Sequence, residues 1–238
     1  MKVGIMQPYF LPYLGYWQLM NAVDRYIILD DVSFIRRGWI HRNRIQNHGQ
    51  EQQITLPISQ ASQNRQICDL KLARSERVWN KLRRGVQLAY CHAPQFAAGK
   101  ALYHRILDYS EDNLSAFLTN SIREVAAYLG MNTEIVRASD MEYDRSLHGS
   151  QRILELCTQM GADCYYNAMG GQKLYDSRDF DARGIVLRFV RMKEDLVYPQ
   201  GNPVFCPSLS VLDAVMYNDQ TQLHKLLHEF VLEEGKNE

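Results

Sequence analysis

Residues 2–31, KVGIMQPYFLPYLGYWQLMNAVDRYIILDD, hold two short apolar runs with a helical pattern between them. KVGIM (2–6) is closed by Gln7 and Pro8, and RYIILD (25–30) runs into Asp30-Asp31, the kind of turn-forming residues that bound buried strands. Between them Leu14, Trp17, Leu19, Met20 and Val23 recur at three- and four-residue spacing just after Pro12, a residue suited to a helix start. The spacing predicts strand, helix, strand. About twenty residues separate the two strands, enough for a right-handed crossover that leaves them parallel.

Working outward, residues 32–75 alternate in short runs (QQITLPI at 52–58, QICDLKLA at 66–73) between Gln-, Asn- and Ser-rich stretches, which predicts an inserted β arm or lid. Residues 76–130 return to helical periodicity through Val78, Leu82, Val86 and Tyr90, then Leu114, Phe117, Leu118, Ile122, Val125 and Leu129. EIVRA (134–138), DCYYNA (163–168) and GIVLRFV (184–190) read as strands, with a helix through Ile153, Leu156, Cys157 and Met160 among them. Gly130 and Gly161 suit helix C-terminal positions. Ser210 and Asp213 predict a capping box for a helix through Leu212, Val215 and Met216. A last helix through Leu223, Leu226, Leu227, Phe230 and Val231 is expected to precede a charged tail. The expectation is a single α/β domain over 1–238. Its core is a doubly wound, nucleotide-binding sheet of Rossmann or HUP type with helices on both faces.

The composition restrains the function. Of 238 residues 46% are hydrophobic, and 27 basic residues balance 27 acidic ones, so no whole-molecule field favours long nucleic acids. MKVGIMQPYF lacks an apolar run of signal-peptide length, and no stretch approaches the roughly eighteen apolar residues of a membrane span. The five cysteines are odd in number and form no CxxC, as expected of thiols in a reducing cytoplasm.

In an open parallel sheet, ligands bind beyond the carboxyl ends of the strands. The residues following each predicted strand are therefore the candidates. QPYFLPYLGY supplies Gln7, the aromatic faces of Tyr9, Tyr13 and Tyr16, and Gly15 within the first helical turn, where a phosphate could approach the backbone. The loop is placed like the H-x-G-H loop of the nucleotidylyltransferases and pantothenate synthetases, which it resembles in position only. Tyr13 and Tyr16 stand where that pattern has histidines, and a phenol carries no positive charge near neutral pH. RRGWIHRNR (36–44) sets Arg36, Arg37, Arg42 and Arg44 around Trp39, a candidate phosphate clamp with a stacking ring. Asp30 and Asp31 could hold Mg²⁺ carried by a nucleotide, though alternation on a strand points only one of them into a site; Asp30 is the candidate metal ligand. Gly170-Gly171 with Tyr175 forms a candidate sugar or phosphate turn, and His148, just before a helix, is a candidate general base beside Asp31.

Several short blocks identify the chain as similar to the WbqC-like family. They are Met6-Gln7-Pro8-Tyr9-Phe10, Pro12-Tyr13 and Gly15-Tyr16; Asp30-Asp31-Val32 with Phe34; Trp39, Arg42, Asn43 and Ile45; and Tyr90 with Ala93-Pro94 and Phe96. Further on come Arg152-Ile153, Gly170-Gly171, Tyr175-Asp176, Tyr198-Pro199-Gln200, Phe205, Leu209-Ser210 and Leu212-Asp213. Cys91-His92 departs from the longer basic or polar side chain expected before Ala93-Pro94. The resemblance implies a bacterial protein connected with O-antigen and other surface polysaccharides, and it brings no established catalytic residue. The expected function is group transfer, acyl or aminoacyl, from a nucleotide-activated substrate to an amino sugar. In it Tyr9, Tyr13 and Tyr16 stack, the four arginines bind phosphate, and Asp31 or His148 removes the proton. Gln7, Gly15, Trp39, Asn43, Gly170, Gly171 and Tyr175 complete the expected binding set. The alternative is a non-catalytic nucleotide- or nucleotide-sugar-binding protein.

Overall fold

The computed structural model describes residues 1–235. In chain order the elements are β1 (Lys2–Met6), α1 (Leu14–Asn21), β2 (Arg25–Ile28), β3 (Arg42–Asn47), β4 (Gln50–Thr55), β5 (Ile58–Ser59), β6 (Lys71–Leu72), α2 (Glu76–Tyr90), α3 (Phe96–Asp108) and α4 (Leu114–Tyr128). There follow β7 (Glu134–Arg137), α5 (Gly149–Gln159), β8 (Cys164–Ala168), α6 (Ser177–Asp181), β9 (Val186–Met192), α7 (Val211–Tyr217), α8 (Gln220–Leu226) and β10 (Phe230–Glu234).

Six strands form the central sheet in the order β10-β9-β8-β1-β2-β7. β1 pairs parallel to β2, with Val3 opposite Arg25 and Met6 opposite Ile28, and parallel to β8 on its other side. The opening strand-helix-strand unit is therefore the parallel crossover its spacing predicts. After β7 the chain returns past β1 to form β8, so the winding reverses between β1 and β8. Such a reversal parts the loops on either side and leaves a crevice at the carboxyl edge.

Side-chain alternation sorts the core into two layers. Val3, Ile5, Ile27, Tyr165, Leu187 and Phe189 face the smaller one, with Ile153, Leu156 and Cys157 of α5 and Phe180 of α6. Tyr26, Ile28, Tyr166 and Val190 face the larger one, shared with α1, α2, α3, α4, α7 and α8. Gly4 makes this possible locally, because a Cβ there would lie 3.0 Å from the ring of its neighbour Tyr26. Leu14 to Met20 are all buried, so α1 lacks a polar face; inside the core the Gln18 amide donates to the carbonyls of Leu226 and Glu229, while its oxygen has no partner.

Some sequence expectations change. Residues 42–47 form β3 and pair antiparallel with β4, a hairpin within the expected β arm that carries Arg42 and Arg44 of the 36–44 basic stretch onto a strand. The inserted segment is also no free flap, because Phe34, Ile40, Ile45, Ile54, Leu56, Ile67 and Leu70 are buried in the larger core. The expected last helix stops at Leu226, and Phe230 and Val231 lie in β10, antiparallel to β9. Short apolar runs fit helix and strand alike, and here the open edge of β9 decides. The Ser210 box is half formed: Ser210 Oγ accepts from the Leu212 N–H, while Asp213 is buried and accepts from Tyr90. The complete capping box is at Asp219 and Gln222. Helix α3, absent from the periodicity reading, fills part of the 76–130 segment. Gly130 and Gly161 follow their helices with positive φ, as expected. The last three residues of the charged tail lie outside the described residues.

Candidate functional site

Because β1, β2, β7, β8 and β9 run parallel, their following loops share one edge of the sheet. Of the cavities that open here, two gather most of the expected site residues that line any.

The first, of about 370 Å³, is lined by Leu29, Asp31, Val32, Ser33, Gln66, His148, Gly149, Arg152, Ile153 and Tyr175. It joins the loop after β2 to the loop after β8, across the point where the winding reverses. The two aspartates divide here. Asp30 is fully buried and accepts from the Ser139 N–H at 2.9 Å, from Ser139 Oγ at 2.7 Å and from Ser115 Oγ, tying β2 to α4 and to the turn after β7. With its oxygens so used it is turned away from the magnesium role considered for it. Asp31 lines the cavity. Its Oδ2 accepts from Tyr143 and Arg145, while Oδ1 is buried without a partner.

Arg152 supplies the opposite sign. It donates to the carbonyls of Leu147 (2.9 Å), Asp31 (3.3 Å) and Arg145 (3.3 Å), and among the described residues no carboxylate pairs with it. Helix α5 begins at the same wall. Its N-cap residue His148 is extended, its side chain does not cap, and no acidic residue occupies the first turn. The leading N–H groups of a helix are unsatisfied without such a cap and attract anions. Gly149 starts the helix at φ +54°, where a side chain would be strained. Tyr175 stands edge-on to Tyr165 and Phe180, and burial raises its hydroxyl pKa, so the phenol stays protonated.

The second cavity, of about 290 Å³, is lined by Tyr9, Pro12, Tyr13, Trp39, Asn43, Arg44 and Ser208. Asn43 builds its wall by donating to the carbonyls of Phe10 (3.1 Å) and Leu11 (2.7 Å). The Leu11 carbonyl also accepts from Ser210 Oγ at 2.9 Å. These bonds hold Leu11 at φ +47°, and Ser208 across the cavity adopts φ +57°. Left-handed backbone at non-glycine residues is costly and persists only where its surroundings enforce it. Gly15 is covered by the Tyr13 ring: a Cβ would lie 2.5 Å from it. The close approach expected for a phosphate is thus taken by a side chain of the same loop.

The predicted arginine clamp comes apart. Arg36 and Arg37 are exposed and face residues 61–64 across a separate hollow. Arg42 turns inward and donates to the carbonyls of Gly38 (3.0 Å) and Arg37. Arg44 is held by Glu51 at 2.8 and 2.9 Å and lies over the Trp39 ring, 5.4 Å from its centroid. Tyr16 is buried in the core against Trp17 and Tyr26 and donates to the Gln7 carbonyl, lining neither cavity. Gly170 and Gly171 form a single 3-10 turn, Gly171 pressed against Asn167, and also line neither.

The sequence reading passes over Tyr143 and Arg145, whose signal is their place in the loop between β7 and α5, and Ser208, whose unusual backbone has none. No group of three His, Cys, Asp or Glu side chains gathers for a metal among the described residues, and none of their helices is long and apolar enough to cross a membrane. A magnesium ion carried by a nucleotide needs only one or two protein carboxylates. Of the two aspartates, Asp31 is the one that lines a cavity, with Oδ1 left without a partner.

Fold and cavities together define an α/β protein with a mostly parallel six-stranded sheet and cavities among the loops at its carboxyl edge. A family profile matches residues 7–225, and the chain belongs to the WbqC-like protein family. It is also similar to "Uncharacterized protein Rv1507c" of Mycobacterium tuberculosis (strain ATCC 25618 / H37Rv), at 28% identity over 215 residues, covering 89% of this chain and 91% of that protein. No solved structure matches.

Proposed function

We propose that the protein binds a nucleotide-activated substrate in the Asp31–Arg152 cavity and transfers its activated group to an amino sugar, as a cytoplasmic step of bacterial surface-polysaccharide synthesis. One observation carries the reading. Asp31, one of whose carboxylate oxygens is buried without a partner, lines the same cavity as Arg152, which meets carbonyls and no carboxylate, and as an uncapped helix start. Such a wall suits a ligand that presents a hydroxyl or amine donor beside an anionic group, as a nucleotide presents its ribose beside its phosphates. A mostly parallel sheet whose winding reverses between β1 and β8 supports the reading, since doubly wound sheets of Rossmann or HUP type take nucleotides in such a crevice. The five unpaired thiols agree with a reducing compartment.

In this reading Asp31 holds the ligand's donor group, Arg152 and the α5 N–H groups face phosphate, and His148 takes the proton from the attacking amine. The test begins with thermal shift across nucleotides and nucleotide sugars, with and without Mg²⁺. A ligand at about one hundred times its Kd raises stability by about 2.7 kcal/mol. If none raises the Tm, the reading fails. With a ligand in hand, His148→Ala is expected to keep binding and lose about 10²- to 10⁴-fold in rate. A second reading, a binding protein without turnover, draws on Asp31 being fixed by Tyr143 and Arg145, an arrangement for holding a ligand. It predicts binding that Asp31→Asn weakens, and no rate to lose.

A further inference from the structure

The Trp39 cavity is separate from the one between Asp31 and Arg152 and has a different chemistry. Its only charged side chain, Arg44, is bound on two oxygens by Glu51, so the wall is close to neutral and offers little to a phosphate. What remains is polar without net charge. The Arg44 Nε–H is buried and has no acceptor. The Tyr9 and Tyr13 hydroxyls, kept protonated because burial raises their pKa, can each donate or accept, as can Ser208. The flat surface comes from Trp39, 44% exposed at the rim and fixed from one side by the Arg44 guanidinium. At about 290 Å³ the cavity lies at the small end of ligand pockets. Two strained residues border it, Leu11 next to Pro12 and Ser208 itself, and Asn43 and Ser210 spend side-chain hydrogen bonds on keeping the first of them in place.

An aromatic platform, rotatable hydroxyls and one unsatisfied donor in a neutral, ring-sized hollow match an uncharged sugar ring. Its C–H face covers the indole, and a ring hydroxyl or acyl oxygen accepts from Arg44. We propose that this cavity is a subsite for the acceptor and takes one uncharged hexose ring of it, next to the amino sugar that receives the group. The assignment of the sugar as acceptor rests on the nucleotide-dependent transfer proposed above; the binding of a sugar here does not.

The chain provides its own probe. Of its three tryptophans, Trp17 and Trp79 are buried and Trp39 is exposed, so acrylamide quenching of fluorescence reads Trp39. Glucose or N-acetylglucosamine is expected to protect it, and Trp39→Phe to remove the quenchable emission. Tyr13→Phe is expected to raise the sugar's apparent Kd by about fivefold, the usual weight of one hydrogen bond. If neither sugar protects Trp39 up to the highest soluble concentration, the subsite is refuted. It is equally refuted if UDP or ADP protects and the sugars do not, since the hollow then stacks a base. Either result leaves nucleotide-induced thermal shifts untouched. Sugar protection without any nucleotide shift keeps the sugar site and removes the nucleotide reading.

Discussion

At the scale of single residues, Asp30 and Asp31 are adjacent carboxylates with opposite tasks. Asp30 sits in the core, where the Ser139 N–H and two serine hydroxyls meet it, and Asp31 opens on the cavity with one oxygen left over. Asp30→Ala would strand those buried donors, and the expected loss is about 3 kcal/mol or more in urea unfolding. A stability change below about 1 kcal/mol would mean that water replaces the carboxylate. That the pair splits was legible in the sequence, because consecutive strand residues face opposite ways. Which of the two faces the cavity was not, since it depends on Ser115 and Ser139, 85 and 109 residues further on. The arginine cluster teaches the same point. Arg42 and Arg44 are two apart on β3, yet one is spent on carbonyls of its own loop and the other on Glu51 of the paired strand.

At the scale of elements, caps and edges set where helices begin and the chain turns. Asn113 is the N-cap of α4: its oxygen accepts from the Ala116 N–H at 2.9 Å, and its amide donates to the Cys68 carbonyl at 2.6 Å. Asn113→Ala is expected to cost about 1 to 2 kcal/mol, measured by the urea midpoint at unchanged slope, because a cap and a tie to the inserted segment go together. The contrast between α4 and α5 matters for function. α4 is capped and packed, whereas α5 starts uncapped at a cavity. Helix periodicity located both. It could not tell a closed helix start from an open one, since His148 and Asn113 are each polar residues before an apolar stripe.

For the molecule as a whole, the buried network behind β3 predicts a pH signature. Asp213, inside α7, accepts from the Tyr90 hydroxyl at 2.9 Å, and burial pushes its pKa up to about 6, against the pull of that hydrogen bond. A carboxyl with a raised folded pKa binds its proton more tightly in the native state. Its contribution is therefore favourable below the unfolded value near 4 and is lost as pH rises through about 6. Asp213→Asn, which keeps an acceptor for Tyr90 and removes the charge, is expected to flatten that part of the curve. At pH 7 it should equal or exceed the wild type, by up to about 2 to 3 kcal/mol. If denaturation at pH 4 and pH 7 gives parallel changes for both proteins, Asp213 does not carry the dependence. Asp144 and Asp176, whose pKa values are lowered by hydrogen bonds from Ser146 and Arg178, lie on the surface and work in the other sense in both proteins.

The sequence by itself determined the parallel α/β grammar, the first crossover, the helices with strong stripes and the edge at which the strand-following loops gather. Each of these follows from local periodicity and from the rule that parallel strands point their ends one way. It also carried the blocks that mark the family. Only the tertiary structure decided that the inserted segment is part of the core, that the chain ends its described part as an antiparallel strand, and that the candidate residues scatter, some to the Asp31–Arg152 cavity, some to the Trp39 cavity and the rest to neither. Those outcomes depend on partners distant in sequence, such as Glu51 for Arg44, Arg145 for Asp31 and the edge of β9 for β10. No short-range pattern encodes which distant group will be there to meet a given side chain.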